Sequence, residues 1–203
     1  MIEKTVIACE EGEYKDFTGI IFWGANEAVV EKATFILAEC FGLKLITFYL
    51  GTWVNGNWEK GIWRSGTWEN GVWENGVWKA GTWKDGIWRE GSWVDGIWEN
   101  GIWDGGNWWG GMWKDGTWEC GDWWGGNWKN GTWECGDWWG GNWKYGIWKG
   151  GTWRGGTWQD GLWKNGTWNG GNWKGGTWQN GEWMTGYDKN ECTRTVSPNN
   201  WKK

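Results

Sequence analysis

Residues 66–80 read GTWENGVWENGVWKA, which is three copies of the unit Gly-x-Trp-x-x. The unit repeats without interruption through residues 51–186 and places a tryptophan at every fifth position from Trp53 to Trp183. A period of five fits neither an α-helix nor a long β-strand, whose side chains repeat about every 3.6 and every 2 residues. A repeat this strict predicts a stacked architecture in which each unit packs on its neighbours.

Each unit is typical of a three-residue strand followed by a two-residue turn. The position before tryptophan is often β-branched, as at Thr52, Ile62 and Val72. The last position and the next glycine form Asn-Gly, Asp-Gly or Gly-Gly pairs, which are strong turn signals. If the turns are corners, the chain winds into an all-β solenoid with tryptophan inside; if they are hairpins, it forms an antiparallel meander. We prefer the β-solenoid, because a meander exposes a whole tryptophan face and two long edges.

The chain resembles the pentapeptide-repeat proteins, whose unit is small–Asp/Asn–Leu/Phe–x–x. Segment 15–24, KDFTGIIFWG, is similar to two such units centred on Phe17 and Phe22, and segments 33–35 and 38–40 fit the unit loosely. In residues 51–186, glycine replaces the small residue and tryptophan replaces Leu/Phe. The resemblance implies a right-handed, four-sided β-helix. The tract is also similar in composition to Gly-Trp pentad proteins encoded by bacteriophages.

The number of units per coil is open at this stage. Residues 117–129 recur unchanged at 132–144, and glycine recurs at the last unit position at Gly110, Gly125 and Gly140. Both spacings are fifteen residues, or three units, which fits a three-sided coil or a duplicated block equally well. We predict four sides, with three as the alternative.

Three segments are predicted. Residues 1–50 form a small N-terminal α/β cap, residues 51–186 form the solenoid, and residues 187–203 form a polar tail. Within the cap we expect strands at 5–8, 19–23 and 43–50 and a helix at 26–41, with Asn26 as its N-cap and Gly42 just past its end. The alternative is that residues 15–50 are a degenerate start of the solenoid.

The composition argues against catalysis. The chain has no histidine, the commonest general base and metal ligand. Cys120 and Cys135 would stack only if coils are fifteen residues long, and two thiols alone make a poor zinc site. We therefore expect no enzymatic activity, no cofactor and no metal. Without a signal-peptide core or an apolar run of about 18 residues, the expected location is cytoplasmic or virion-associated, with no membrane span.

Charge is distributed unevenly along the chain. Residues 1–137 carry a net charge of −10 and residues 138–203 carry +5, which together give the −5 of the whole chain. There is no uniform basic stripe, so nucleic acid is not an expected partner. Oppositely charged ends favour head-to-tail self-association.

Three tryptophans fall outside the regular spacing. Trp109, Trp124 and Trp139 each directly follow a repeat tryptophan, so each points away from the bore. A row of outward aromatic rings can stack on sugar rings or anchor a protein partner. The alternative is a tolerated surface residue copied by duplication. These three are the candidate binding residues.

Taken together, these features indicate a non-enzymatic structural or adhesive repeat protein, of phage or virion origin. Its expected partner is a surface glycan, a protein or another copy of itself. One alternative is a DNA-mimic inhibitor of a type II topoisomerase, a role that the pentapeptide-repeat resemblance implies and that the acidic stretch 51–137 suits. Another is an ice-binding solenoid, because Thr52, Thr67 and Thr82 recur every fifteen residues, although Ile97 ends the row.

Overall fold

A computed structural model describes the backbone of residues 5–7, 20–23, 28–35, 38–41, 46–59, 61–184 and 187–188, and the side chains of residues 52–59 and 61–184. Every regular element in these residues is a β-strand, and the strands pair in parallel into a solenoid. The prediction of an all-β solenoid is confirmed, and the antiparallel meander is wrong.

Among the described residues, strands of three or more residues occur only before the repeat becomes regular. The first seven are β1 (Thr5–Ile7), β2 (Ile20–Trp23), β3 (Ala28–Phe35), β4 (Ala38–Phe41), β5 (Ile46–Trp53), β6 (Gly56–Trp58) and β7 (Gly61–Trp63). From β8 (Thr67–Trp68) to β31 (Glu182–Trp183), each strand consists of a repeat tryptophan and the residue before it. The last described strand is β32 (Tyr187–Asp188). Short strands separated by three-residue corners are what a five-residue unit permits.

The coil has three sides. Along the tract each tryptophan pairs with the one fifteen residues further on, as Trp58 does with Trp73. Fifteen residues are three units, and the tract makes about nine coils. The prediction of four sides, and the four-sided helix that the pentapeptide-repeat resemblance implies, are therefore wrong, and the three-sided alternative is right. At a strand spacing of about 4.8 Å, nine coils extend about 43 Å.

We number the faces by the tryptophans they carry. Face 1 carries every fifteenth residue from Trp58 to Trp178, face 2 carries those from Trp63 to Trp183, and face 3 carries those from Trp53 to Trp173. The chain visits the faces in the order 1, 2, 3 in every coil. A surface residue therefore lies directly above the residue fifteen positions earlier.

Stacked indole rings fill the bore and explain the three sides. On each face the rings of adjacent coils stack, with the centroids of Trp103 and Trp118 4.8 Å apart and their planes 6° apart. Around a coil the rings meet edge to face, as Trp103 and Trp108 do at 5.8 Å and 75°. Both are favourable aromatic geometries, and the rings of Trp103, Trp108 and Trp118 are fully buried. A fourth side would separate these rings and open a void, which close-packed interiors rarely keep.

A backbone ladder links every coil to the next. The residue after each tryptophan donates its N–H to the tryptophan carbonyl of the preceding coil, as Glu119 does to Trp103 at 2.7 Å. The residue before each tryptophan donates to the carbonyl of a glycine in the preceding coil, as Thr117 does to Gly101 at 2.9 Å. The ladder supplies the backbone hydrogen bonds that a glycine-rich chain needs to offset its large loss of conformational freedom.

The corners explain the Asn-Gly and Asp-Gly pairs. The carboxamide oxygen of Asn70 accepts the N–H of Gly71 at 2.8 Å, and the Asp85 carboxylate accepts that of Gly86 at the same distance. These side chains accept the backbone N–H of the corner glycine, which makes no hydrogen bond in the ladder. The pairs therefore form corners, and none of those in the described tract closes a hairpin.

Most indole N–H groups in the core have no conventional acceptor within the described residues. Trp128 is an exception, since its Nε1 donates to the Tyr145 carbonyl at 3.1 Å. The other core indoles, Trp103 and Trp118 among them, meet neighbouring rings edge to face. A ring edge directed at a π face is a weak polar contact. Ring packing rather than side-chain hydrogen bonding therefore dominates the bore.

The helix predicted at 26–41 is wrong. Residues 28–35 form strand β3, which pairs in parallel with β5, and residues 38–41 form β4, which pairs with β2 and β6. β3 contains the β-branched residues Val29, Val30 and Thr34, which favour a strand. Pairing along the first coil also covers an otherwise open sheet edge, and this outweighs the helical spacing of apolar residues. The expected helix caps, Asn26 and Gly42, lie outside the described residues.

The other elements expected before the tract are present with shifted ends. The strands predicted at 5–8, 19–23 and 43–50 are Thr5–Ile7, Ile20–Trp23 and Ile46–Trp53. Pairings in this part advance by eighteen residues in places, as from Ala28 to Ile46, before the fifteen-residue step is established. Strand β5 crosses the expected boundary at residue 50, and the division into cap, solenoid and tail stays a prediction. Residues 189–203 of the tail lie outside the described residues.

Candidate binding face

Trp109, Trp124 and Trp139 form a row on the outside of three consecutive coils, beside face 2. Their exposed fractions are 50%, 38% and 39%, whereas the repeat tryptophans that precede them are buried. The rings stack, with centroids 5.2 Å apart for Trp109 and Trp124 and 4.8 Å for Trp124 and Trp139. The prediction that these side chains point away from the bore is confirmed. We call this row the tryptophan ridge.

The ladder and one cation hold the ridge in place. The backbone N–H of Trp124 donates to the Trp108 carbonyl at 2.8 Å, so each ridge residue is fixed at its Cα. The Arg154 guanidinium lies 4.2 Å from the centroid of the Trp139 ring, a cation–π contact. The same guanidinium binds the Asp137 carboxylate at 2.8 Å. The ridge is therefore ordered before any ligand arrives.

The ridge offers ring edges and parts of ring faces. Centroids 4.8–5.2 Å apart exceed the contact distance of about 3.5–4 Å between carbon atoms. The nearly parallel rings must therefore be offset, which leaves part of each face uncovered. The widest open face belongs to Trp109, because the equivalent position one coil earlier is Val94 and carries no ring. An apolar ligand can thus lie along the row or cover its first ring.

A corner without side chains adjoins the ridge. The ridge tryptophans are followed by the glycine pairs 110–111, 125–126 and 140–141. Beyond this corner, on face 3, Asn127 and Asn142 are exposed, and the Nδ2 of Asn142 donates to the Oδ1 of Asn127 at 3.1 Å. Met112 holds the same position one coil earlier and is 41% exposed. Amide groups on face 3 therefore lie next to the aromatic rings of the ridge.

Three lysines lie along the edge of face 3 that is farther from the ridge. Lys114, Lys129 and Lys144 occupy the same position in the three ridge coils. Lys114 pairs with Glu99 at 2.8 Å, and the ammonium of Lys144 lies 5.8 Å from the Tyr145 ring. Lys129 has no carboxylate partner within the described tract. We call the ridge, the glycine corner, the two asparagines and the three lysines together the ridge face.

The sequence alone identified the ridge but not the rest of this face. The run Trp-Trp-Gly-Gly-Asn-Trp-Lys at 123–129 and again at 138–144 contains all four features. Their convergence becomes visible only when the coil length is known, because a four-sided coil would place the two runs on different faces. The fifteen-residue recurrence was the available signal.

Ion pairs link adjacent coils on the surface, both beside the ridge face and away from it. Each joins residues about one coil apart and is substantially exposed, so each contributes little to stability. The pairs are Lys84–Glu69, Arg89–Glu74, Lys114–Glu99, Lys149–Glu134 and Arg154–Asp137. These charged side chains form a solvated surface.

Within the described residues, a metal site would require a cluster of ligands and a membrane-spanning helix would require a long apolar run. No group of three histidine, cysteine, aspartate or glutamate side chains is placed there to hold a metal ion. Cys120 and Cys135 do stack on adjacent coils, with their sulfur atoms 2.7 Å apart. No helix with the length and apolar character to cross a membrane occurs in the same part of the chain.

Comparison of the chain with models of protein families, with curated proteins and with solved structures finds no match. What is shown is a β-solenoid built on a five-residue repeat. The inference of function rests on this fold and on the ridge face.

Proposed function

We propose that this protein is a non-enzymatic structural repeat protein, a divergent three-sided relative of the pentapeptide-repeat proteins, whose ridge face binds a glycan chain. The observation that carries the proposal is the tryptophan ridge. Within the tract, every repeat tryptophan serves the core, whereas these three extra rings are stacked on the outside next to amides and lysines.

The chemistry of the ridge face suits a sugar polymer. Indole faces stack on planar rings such as nucleobases, and the C–H face of a pyranose ring offers them a similar apolar surface. Asn127 and Asn142 supply donors and acceptors for hydroxyl groups, and the lysines favour a glycan that carries carboxylates or sulfates. One ring per coil gives a linear row along the rod axis, which matches a linear repeating ligand. A fixed backbone lowers the entropic cost of binding.

A glycan array tests the proposal with the full chain and two variants. Trp124→Ala removes the central ring of the ridge, and Ile102→Ala, a control, removes an apolar side chain of 38% exposure from face 1. We expect Trp124→Ala to weaken binding by about fivefold to about 150-fold, because one stacked ring contributes about 1–3 kcal/mol. Ile102→Ala should leave binding unchanged.

Two results would count against glycan binding. One is that no neutral or acidic glycan on the array is bound. The other is binding that Trp124→Ala leaves unaltered. Capture of a protein partner that depends on Trp124 would instead support the ridge as a protein anchor.

Self-association is a second candidate, favoured by how charge is arranged along the rod. On the corner after face 1, the positions that follow tryptophan are mostly acidic up to Glu134 and then become Lys149 and Lys164. Because these positions stack in register, the charge gradient of the sequence becomes a gradient along the axis. The acidic part of one rod can then meet the basic part of another.

The remaining alternatives have narrower support. Thr52, Thr67 and Thr82 lie in register on face 3, but Ile97 and Met112 continue the column. An ice-binding face needs a longer threonine rank than this. A DNA-mimic surface needs continuous acidity, and Arg89 interrupts the acidic column on face 1. We rank both below the glycan and self-association proposals.

A further inference from the structure

Two thiols lie side by side on the corner after face 1. Cys120 and Cys135 occupy the same position in adjacent coils, both are exposed, and their sulfur atoms are 2.7 Å apart. Neighbouring strands are about 4.8 Å apart, which lies within the Cα separation of about 4.4–6.8 Å that a disulfide spans. The backbone therefore places the two residues at a Cα separation that a disulfide can span.

The two thiols have different surroundings. The sulfur of Cys135 lies 2.9 Å from the Glu119 carbonyl oxygen and is placed to donate its proton there or to the sulfur of Cys120. Partial burial, and then the hydrogen bond to Cys120, raise the pKa of Cys135 to about 12. Cys135 is thus held as a protonated thiol near neutral pH, with Cys120 as the acceptor of its hydrogen bond. We therefore assign Cys120 as the sulfur that attacks first and Cys135 as the resolving sulfur, which completes the disulfide.

We propose that Cys120 and Cys135 form a dithiol site that exchanges with small disulfides of the glutathione type and closes to an inter-coil disulfide. The thiolate of Cys120 attacks one sulfur of the small disulfide, whose S–S bond breaks and releases a first thiol. Cys135 loses its proton and attacks the sulfur of Cys120 in the mixed disulfide, which releases the second thiol. Two protein thiols are oxidised, one small disulfide is reduced, and the two protons go to the two released thiols.

Closure would join the two coils that carry most of the ridge. Trp124 follows Cys120 by four residues, and Trp139 follows Cys135 by four. The bond would tie these coils together at the corner just before the ridge strands. The site itself does not depend on what the ridge binds.

Peptide mapping of the full chain tests the proposal. Trypsin cleaves after Lys114, Lys129 and Lys144, so the two cysteines fall in different peptides, 115–129 and 130–144. Dilute protein is incubated with oxidised glutathione, free thiols are alkylated, and the chain is unfolded and digested. We expect peptides 115–129 and 130–144 as one linked species, which dithiothreitol separates. Unlinked, alkylated peptides in oxidising buffer would overturn the proposal, as would linkage mainly to Cys9, Cys40 or Cys192.

Two single variants test the order of attack. Cys135→Ser should accumulate glutathione on Cys120, because the resolving thiol is gone. Cys120→Ser should be modified at Cys135 more slowly near neutral pH than Cys135→Ser is at Cys120, because partial burial and the Glu119 carbonyl still favour the protonated Cys135 thiol, which is a poor nucleophile. Both substitutions replace exposed side chains by one of similar size, so both chains should fold. Equal rates for the two variants would overturn the assigned roles.

Discussion

The glycine that opens each unit has a backbone conformation closed to most other residues. At Gly141 φ is +109°, and a Cβ there would overlap the carbonyl oxygen of Gly126 one coil below. The need to make room for a large ring could by itself explain a small residue at this position. The structure shows a backbone reason instead: the corner needs a positive φ, and adjacent coils approach too closely for a side chain.

Gly141→Ala and Gly140→Ala form a matched pair one residue apart. Gly140 is outside the positive-φ set, and the nearest atom to an added Cβ is 3.7 Å away. We expect Gly141→Ala to lower the free energy of unfolding by about 2 kcal/mol or more, since strain at positive φ and a backbone clash combine. Gly140→Ala should change it by less than about 0.5 kcal/mol. Denaturant titration followed by circular dichroism would measure both, and equal effects would contradict the corner geometry.

The inward and outward side chains of a repeat unit contribute very differently to stability. In β21 (Thr132–Trp133), the Trp133 ring is fully buried between Trp118 and Trp148, with centroids 4.7 and 4.8 Å away. The following residue, Glu134, makes a 2.7 Å ion pair with Lys149 on the surface. Burial in the bore should therefore govern stability, while the exposed ion pair should contribute little to it.

Trp133→Ala and Glu134→Ala separate these contributions within one unit. Trp133→Ala should cost about 3–5 kcal/mol, because it removes a large buried ring and leaves a cavity between two stacked neighbours. Glu134→Ala should cost less than about 1 kcal/mol, since the pair is exposed and screened by solvent. Unfolding followed by circular dichroism gives both values. A cost for Glu134→Ala as large as that for Trp133→Ala would show that surface ion pairs, not the stacked rings, stabilise the coil.

The sequence predicts a strand correctly where the local pattern of residues decides it. It fails at β3, where pairing with a distant strand decides between strand and helix. The short strand ending at each repeat tryptophan follows from β-branched residues between turn signals. The strand β3 could not be distinguished from a helix by spacing alone, because Val29, Ala33 and Ile36 also suit one helical face. Its partner, β5, was needed to decide. The binding face was limited in the same way, since Asn127 and Lys129 gain meaning only beside the ridge.

At the scale of the whole molecule, the number of sides was the decisive unknown. Each unit has the same local sequence whether three or four complete a coil, so composition and turn signals could not settle it. The edge-to-face contact of consecutive rings, 5.9 Å between Trp98 and Trp103, decides for three. The recurrence of residues 117–129 at 132–144 had the right period but also allowed simple duplication.

The axial charge gradient predicts salt-sensitive self-association of the full chain. Light scattering at low ionic strength should show assembly that rises with concentration and is lost in high salt, where the Debye length falls to about 3 Å. The double variant Lys149→Glu with Lys164→Glu should abolish assembly, because it removes the basic column on face 1. Lys79→Glu, a control in the acidic part, should not. A monomer at all concentrations, or assembly indifferent to salt, would contradict this candidate.

The separation of core and surface has a consequence for how such a chain can change its length. Deleting or inserting five residues leaves every indole in the bore, yet it rotates the outer residues of all later coils by one face. Between Trp109 and Trp139, only steps of fifteen keep the three ridge rings aligned, and elsewhere only such steps keep a surface column before the change in register with its continuation after it. The interior therefore tolerates length mutations in pentads, whereas a functional exterior restricts them to whole turns of the rod.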